Sequence, residues 1–192
     1  MKIMKTILQL GIIIAFGYAQ SLLAAPAEEV PAALTKHLPD LQKLGENPVL
    51  VAAVKAQNAK AIGLDAIKKR DAEWMAKTGV DAGMKEIMEN EPAKELAKIE
   101  SSQPFYFELF LMDNQGANVA MTNKTSDYWQ GDEEKFTKAF KGGSGEVFVA
   151  AAEFDDSANA YLIQVSVPVI ADGKAIGVLT IGVNLDELEA AQ

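Results

Sequence analysis

Apolar residues in the first half of the chain recur at spacings of three and four. Leu34, Leu38, Leu41 and Leu44 draw one stripe, the pattern of an amphipathic helix, and Gly45 ends it. Asn47-Pro48 then offers a capping side chain followed by proline at the first helical position. The next helix carries Leu50, Val51, Val54 and Ile62 and closes at Gly63. A third, capped by Asp65, has Ile67, Trp74 and Met75 as its apolar positions. A fourth starts near Asp81 with Met84, Ile87 and Met88 inward, and Pro92 begins a fifth with Leu96 and Ile99 inward. At Phe105 the period changes. Phe105 to Met112 is an apolar run broken by Glu108, Asp113-Asn114-Gln115-Gly116 is a turn, and Asn118 to Met121 is a second short apolar segment. Together they predict a β-hairpin, because Asn and Gly supply the turn backbone between strand-like runs.

After the hairpin comes a polar and aromatic segment, Asn123 to Gln130. A short helix follows over Glu133 to Lys141, with Phe136 and Phe140 on one face, and then the flexible turn Gly142 to Gly145. That turn shares only its glycine content with a phosphate loop, since the Lys-Ser/Thr ending is missing. Val147 to Ala151 predicts a strand and Glu153 to Asn159 an acidic loop. Tyr161 to Ile170 alternates, with Tyr161, Ile163, Val165, Val167 and Val169 on one face and Leu162, Gln164, Ser166 and Pro168 on the other. The tight turn Ala171-Asp172-Gly173 leads into a last strand, Lys174 to Asn184, and Leu185 to Ala191 forms a helical tail. The order is helices, two strands, a helix and three strands. A turn this short makes the last two strands antiparallel. Helices set apart from such a sheet define the α+β class.

The N-terminus adds a separate expectation. Lys2 and Lys5 give a basic start, Ile7 to Leu23 is mostly apolar, and Ala25-Pro26-Ala27 offers small residues where a signal peptidase reads. Residues 1–27 are therefore expected to be a cleaved signal peptide, with an uncleaved membrane anchor as the competing reading. Residues 28–192 are expected to be one domain, helical over 28–103 and sheet over 104–192, in a periplasmic protein. Loss of residues 1–27 removes two of the 18 basic residues and none of the 27 acidic ones, moving the net charge from −9 to about −11. So acidic a surface disfavours nucleic acid and anionic lipid. Zero cysteines exclude disulfides, thiolate nucleophiles and thiolate metal sites. The one histidine, His37, lies on or beside the leucine stripe, so triads and histidine-ligated zinc are excluded too. Neither enzymatic activity nor a metal or other cofactor is expected.

Two stretches resemble a known family. LFLMDNQGANVAMTNKTSDYWQGDEEKFTKAF, followed by GEVFVAAAEFDDSANAYLIQVSVPVIADGKAIGVLTIGVNLDEL, is similar to the periplasmic PAS-like sensor domains called Cache domains. The likeness covers about residues 90 to 188, and it is densest over Thr125 to Glu133 and over Val167-Pro168-Val169…Gly173…Ile176-Gly177-Val178. It implies a five-stranded antiparallel sheet, an N-terminal helical layer, and a ligand pocket roofed by the segment between the second and third strands, which here contains Asn123 to Trp129. The candidate ligand contacts are Asn123, Thr125, Asp127, Tyr128, Trp129, Phe148, Asp155 and Tyr161. Tyr128 and Trp129 would supply ring walls with a hydroxyl and an indole N–H. Asp155, with Glu153 and Asp156, would receive a ligand amine or a hard cation. Tyr161 faces opposite to Gln164 and Ser166 and is preferred to Gln164.

The sequence stops at Gln192, with no kinase, cyclase or second membrane span after the last strand. The expectation is thus an exported small-molecule sensor, for an amino acid or organic acid, acting through a membrane partner or through dimerisation. The alternative is a protein-interaction module whose vestigial pocket is filled by Tyr128 and Trp129.

Overall fold

In the computed structural model, which describes residues 30–155 and 159–191, five helices precede the sheet. They are α1 (Ala32–Leu44), α2 (Pro48–Ala59), α3 (Leu64–Met75), α4 (Ala82–Glu89) and α5 (Glu91–Glu100). The expected signal peptide and Asp156 lie outside the described residues. Local chemistry sets the starts of three helices. Asn47 accepts the N–H groups of Val49 and Leu50 at the head of α2, Asp81 accepts that of Met84, and Asn90 accepts that of Ala93. Asp65 sits in the first turn of α3 instead of capping it, because Gly63 occupies the N-cap position. Met75, one of the apolar positions of α3, is 55 % exposed, because the helix buries the side that carries Ile67, Asp71 and Trp74.

The strands are β1 (Tyr106–Met112), β2 (Asn118–Met121), β3 (Phe148–Asp155), β4 (Ala160–Ala171) and β5 (Lys174–Asn184). Helix α6 (Glu134–Phe140) separates β2 from β3, and α7 (Leu185–Ala190) follows β5. They form one five-stranded sheet in the order β2-β1-β5-β4-β3, and each neighbouring pair is antiparallel. The α+β class and the five-stranded antiparallel sheet behind a helical layer are therefore seen directly. One boundary differs from expectation. Glu153, Phe154 and Asp155 continue β3, because they pair with Leu162, Tyr161 and Ala160 of β4.

The two faces of the sheet carry different cores. On the first, Leu34 and Leu41 of α1, Leu50 and Val54 of α2 and Leu96 of α5 pack onto Leu109, Leu111, Val165, Val167, Leu179 and Ile181. All eleven are completely buried, so the leucine stripe of α1 serves the domain interior. On the second face, Phe110, Met112 and Val178 meet Phe136 and Ala139 of α6, and Trp74, Met84 and Tyr128 join the same cluster. This second face holds the candidate site. Among the described residues, no helix is long and apolar enough to cross a membrane.

Candidate functional site

The segment between β2 and α6 is held down by α3. One carboxylate oxygen of Asp71 accepts the backbone N–H groups of Tyr128 (2.8 Å) and Trp129 (3.0 Å). The Trp74 indole N–H donates to the Thr125 carbonyl at 2.9 Å. Arg70 lies 4.2 Å from the Tyr128 ring centroid and donates to its hydroxyl at 3.3 Å. Burial raises the Tyr128 phenol above its ordinary range, with the Arg70 charge opposing. Thr125 donates to the Asp127 carbonyl at 2.7 Å and accepts from the Asn118 amide at 2.8 Å. The Trp129 indole N–H donates to the Gln115 carbonyl at 2.7 Å, and Lys68 lies over its ring. This is a closed clasp whose polar groups are largely used internally.

The eight candidate contacts separate accordingly. Thr125 and Tyr128 are buried in the clasp, at 6 % and 1 % exposure, while Asp127 and Trp129 are half-buried at its rim. Asn123 is exposed on the outside. Phe148 and Asp155 lie elsewhere, in the wall of a cleft on the second face of the sheet. Tyr161 belongs to neither. It points to the first face, 53 % exposed, and packs edge-on against Phe154 with ring centroids 5.4 Å apart. The strand alternation that separates Tyr161 from Gln164 puts Gln164, the less favoured of the two, in the cleft.

That cleft has a volume of about 550 Å³. Its roof is the start of α6, Asp132 to Lys135, and its walls include Phe148, Glu153 and Asp155 of β3 and Leu162 and Gln164 of β4. Lys135 pairs with Glu133 at 2.9 Å and lies 5.6 Å from the Phe110 ring centroid, which places its ammonium over the second face. Glu108 stands nearby on the same face. Its carboxyl is pushed up to about 6, chiefly by burial, with Lys135 opposing the shift and Asp155 and Glu100 adding to it. Among the described residues, no three or more histidine, cysteine or carboxylate side chains converge to hold a metal ion.

Sequence reasoning passed over Lys135, Gln164 and the position of Glu108. The one available signal was a charge inside an otherwise apolar strand. Its meaning depended on a register shift that the one-dimensional pattern does not carry. In β1, Tyr106 pairs with Val183 and Leu109 with Ile181, so Phe107 and Glu108 together oppose the single residue Gly182.

Residues 80–190 match the family described as methyl-accepting chemotaxis protein-like, first PDC sensor domain. The chain belongs to that family. No curated protein matches. Among solved structures, the chain is similar in fold to the Vibrio cholerae histidine kinase DctB sensor domain, with 14 % identity, a TM-score of 0.47, and coverage of 83 % of this chain and 52 % of that one. It is also similar to the sensory domain of the Campylobacter jejuni chemoreceptor Tlp3 (18 % identity, TM-score 0.40, 82 % and 64 % coverage). A third likeness is to the ligand-binding domain of the Pseudomonas aeruginosa amino acid chemoreceptor PctC in complex with GABA (13 % identity, TM-score 0.39, 81 % and 63 % coverage). The chain thus spans between about half and two thirds of the length of these three chains.

Proposed function

We propose that this domain senses a small organic molecule held in the cleft between the start of α6 and strands β3 and β4. The observation that carries this reading is the cleft itself. It is an opening of about 550 Å³, walled by Phe148 and Leu162 and edged by Gln164, Lys135 and Asp155. Its size falls in the range of roughly 300–1,000 Å³ typical of small-molecule sites, and its lining joins apolar residues such as Phe148 and Leu162 to Lys135, Gln164 and the carboxylates Asp132, Glu133, Glu134, Glu153 and Asp155. An amino acid or a small organic acid fits the size, and Lys135 is the cation of the lining that would meet its carboxylate. The basic-then-apolar start of the chain supports export to the periplasm, where such a sensor would report to a membrane partner.

A thermal-shift screen of amino acids, amines and carboxylates tests the reading, because a compound bound only by the folded state must raise its stability. Stabilisation by at least one class is expected, and it should disappear in Leu162→Arg, which fills the cleft. Failure of every class would contradict the proposal. A second reading, a protein-interaction module, rests on Tyr128, which is 1 % exposed and packs in one cluster with Trp74 and Met84. It predicts no stabilisation by any of these compounds.

A further inference from the structure

A second cavity, of about 220 Å³, lies at the β2 edge of the sheet and shares no lining residue with the cleft beside α6. It is enclosed between α2, α3, α4, the start of α5 and β2, and Lys60, Arg70, Glu86, Asn90, Asn118 and Tyr128 belong to its lining. Asn118 is 1 % exposed and carries an unused acceptor. Its amide N–H groups donate to the Thr125 hydroxyl at 2.8 Å and to the Asp127 carbonyl at 3.2 Å. A carbonyl can only accept, so the amide nitrogen is fixed on that side. Neither Thr125 nor Asp127 lines the cavity, which makes the oxygen the end of the amide turned toward it. That oxygen, Oδ1, has no hydrogen-bond partner among the described residues. A buried acceptor left unpaired is costly, and any donor brought to it relieves the cost.

The rest of the lining supplies donors and positive charge. Arg70 donates to the Tyr128 hydroxyl and to the Gly83 carbonyl, each at 3.3 Å, and a guanidinium has more N–H groups than these two bonds use. The Tyr128 hydroxyl accepts from Arg70 and keeps its own O–H to donate, since burial raises the phenol above its ordinary range. Lys60 adds a second cation, and Glu86, which is exposed, is the one carboxylate of the lining. Asn90, the N-cap of α5, brings the positive end of that helix dipole to the wall.

We propose that this cavity is a second binding site and that it takes a small oxyanion carrying its own proton, of which inorganic phosphate is the type. Arg70, Lys60 and the Tyr128 hydroxyl meet the anionic oxygens, and Asn118 Oδ1 accepts the hydrogen of the P–O–H group. Sulfate has the same shape but holds no hydrogen at neutral pH. Its lone pairs would abut the Asn118 oxygen, and that repulsion supplies the selectivity. The site is independent of whatever the cleft holds.

The test is calorimetric titration of the whole domain with sodium phosphate and with sodium sulfate, near neutral pH, in phosphate-free buffer at fixed ionic strength. Phosphate should bind roughly tenfold or more tighter than sulfate. It should also shift the side-chain amide signals of Asn118 in two-dimensional NMR and leave Phe148 and Gln164 unmoved. Arg70→Gln should lose roughly tenfold or more of the phosphate affinity and Lys60→Gln roughly threefold, each through loss of one charge. Lys60 is exposed, so its variant and the comparison of the two anions serve as the test even if Arg70→Gln fails to fold. Sulfate binding as tightly as phosphate, phosphate affinity unchanged in every variant that folds, or shifts centred on the cleft would each overturn the proposal. Absence of binding by both anions, the result expected if water alone serves Asn118, overturns it too and leaves the reading of the cleft standing.

Discussion

Two carboxylates, Asp71 and Glu108, are set in opposite conditions. Asp71 is 9 % exposed and accepts two backbone N–H groups, which fixes Tyr128 and Trp129 against α3. Asp71→Ala would leave both donors buried without partners, and a destabilisation of about 2–4 kcal/mol is expected in urea unfolding, with Asp71→Asn losing less because it keeps an acceptor. Glu108 is raised by burial to about 6 from an ordinary value of 4.5. The folded state therefore holds the proton more tightly than the unfolded one, and stability falls as pH rises through that window. The cost is absent below about pH 4.5 and complete above about pH 6, where it amounts to at most about 2 kcal/mol. Without ligand, Glu108→Gln should thus be more stable than the wild type above pH 6 by up to that amount, and the gap should close on acidification. A constant gap from about pH 4 to about pH 8 would contradict the assignment. Glu108 was visible in the sequence as an anomaly, whereas Asp71 was not, because an aspartate amid Lys69, Arg70 and Glu73 resembles an ordinary solvated helix face.

Helix α2 touches the sheet at Gly177. A side chain there would run into the Met112 carbonyl oxygen and the Val54 side chain, and the Asn58 amide donates to the neighbouring Ile176 carbonyl at 2.7 Å. Gly177→Ala should consequently cost about 1–3 kcal/mol by pushing α2 off β5, read as a lower thermal midpoint. The pairing of α2 with β5 was beyond the sequence, since Val54 and Gly177 lie far apart along it. Local elements were legible because their signals are local. Asn47-Pro48 marked the start of α2, and the Asp113–Gly116 turn folds as a tight loop in which the Asp113 carboxylate accepts the N–H groups of Gln115 and Ala117. The length of β3 was hidden. Glu153 and Asp155 look like loop residues, yet β3 is an edge strand where charges are tolerated, and its extension comes from pairing with β4.

At the scale of the whole molecule, the sheet separates two jobs. Its first face and helices α1, α2, α5 and α7 form the larger apolar core, while its second face is shared between the clasp under α3 and the open cleft beside α6. The resemblance drew attention to the segment from Asn123 to Trp129 because it lies between the second and third strands, where the family's pocket is roofed, and its aromatics Tyr128 and Trp129 were read as ring walls. The geometry puts the Tyr128 ring in the core, and the cleft beside α6 opens a few residues further on. Aromatic content cannot distinguish those two fates, because a ring that walls a pocket and a ring that fills one have the same composition. The measurement that decides most directly is mapping of backbone amide shifts by two-dimensional NMR during titration with a compound that stabilises the domain. The account predicts shifts concentrated at Lys135, Phe148, Leu162 and Gln164, with Arg70, Gly83 and Tyr128 unmoved. Shifts centred on Thr125 to Trp129 and α3, with the cleft unmoved, would contradict it.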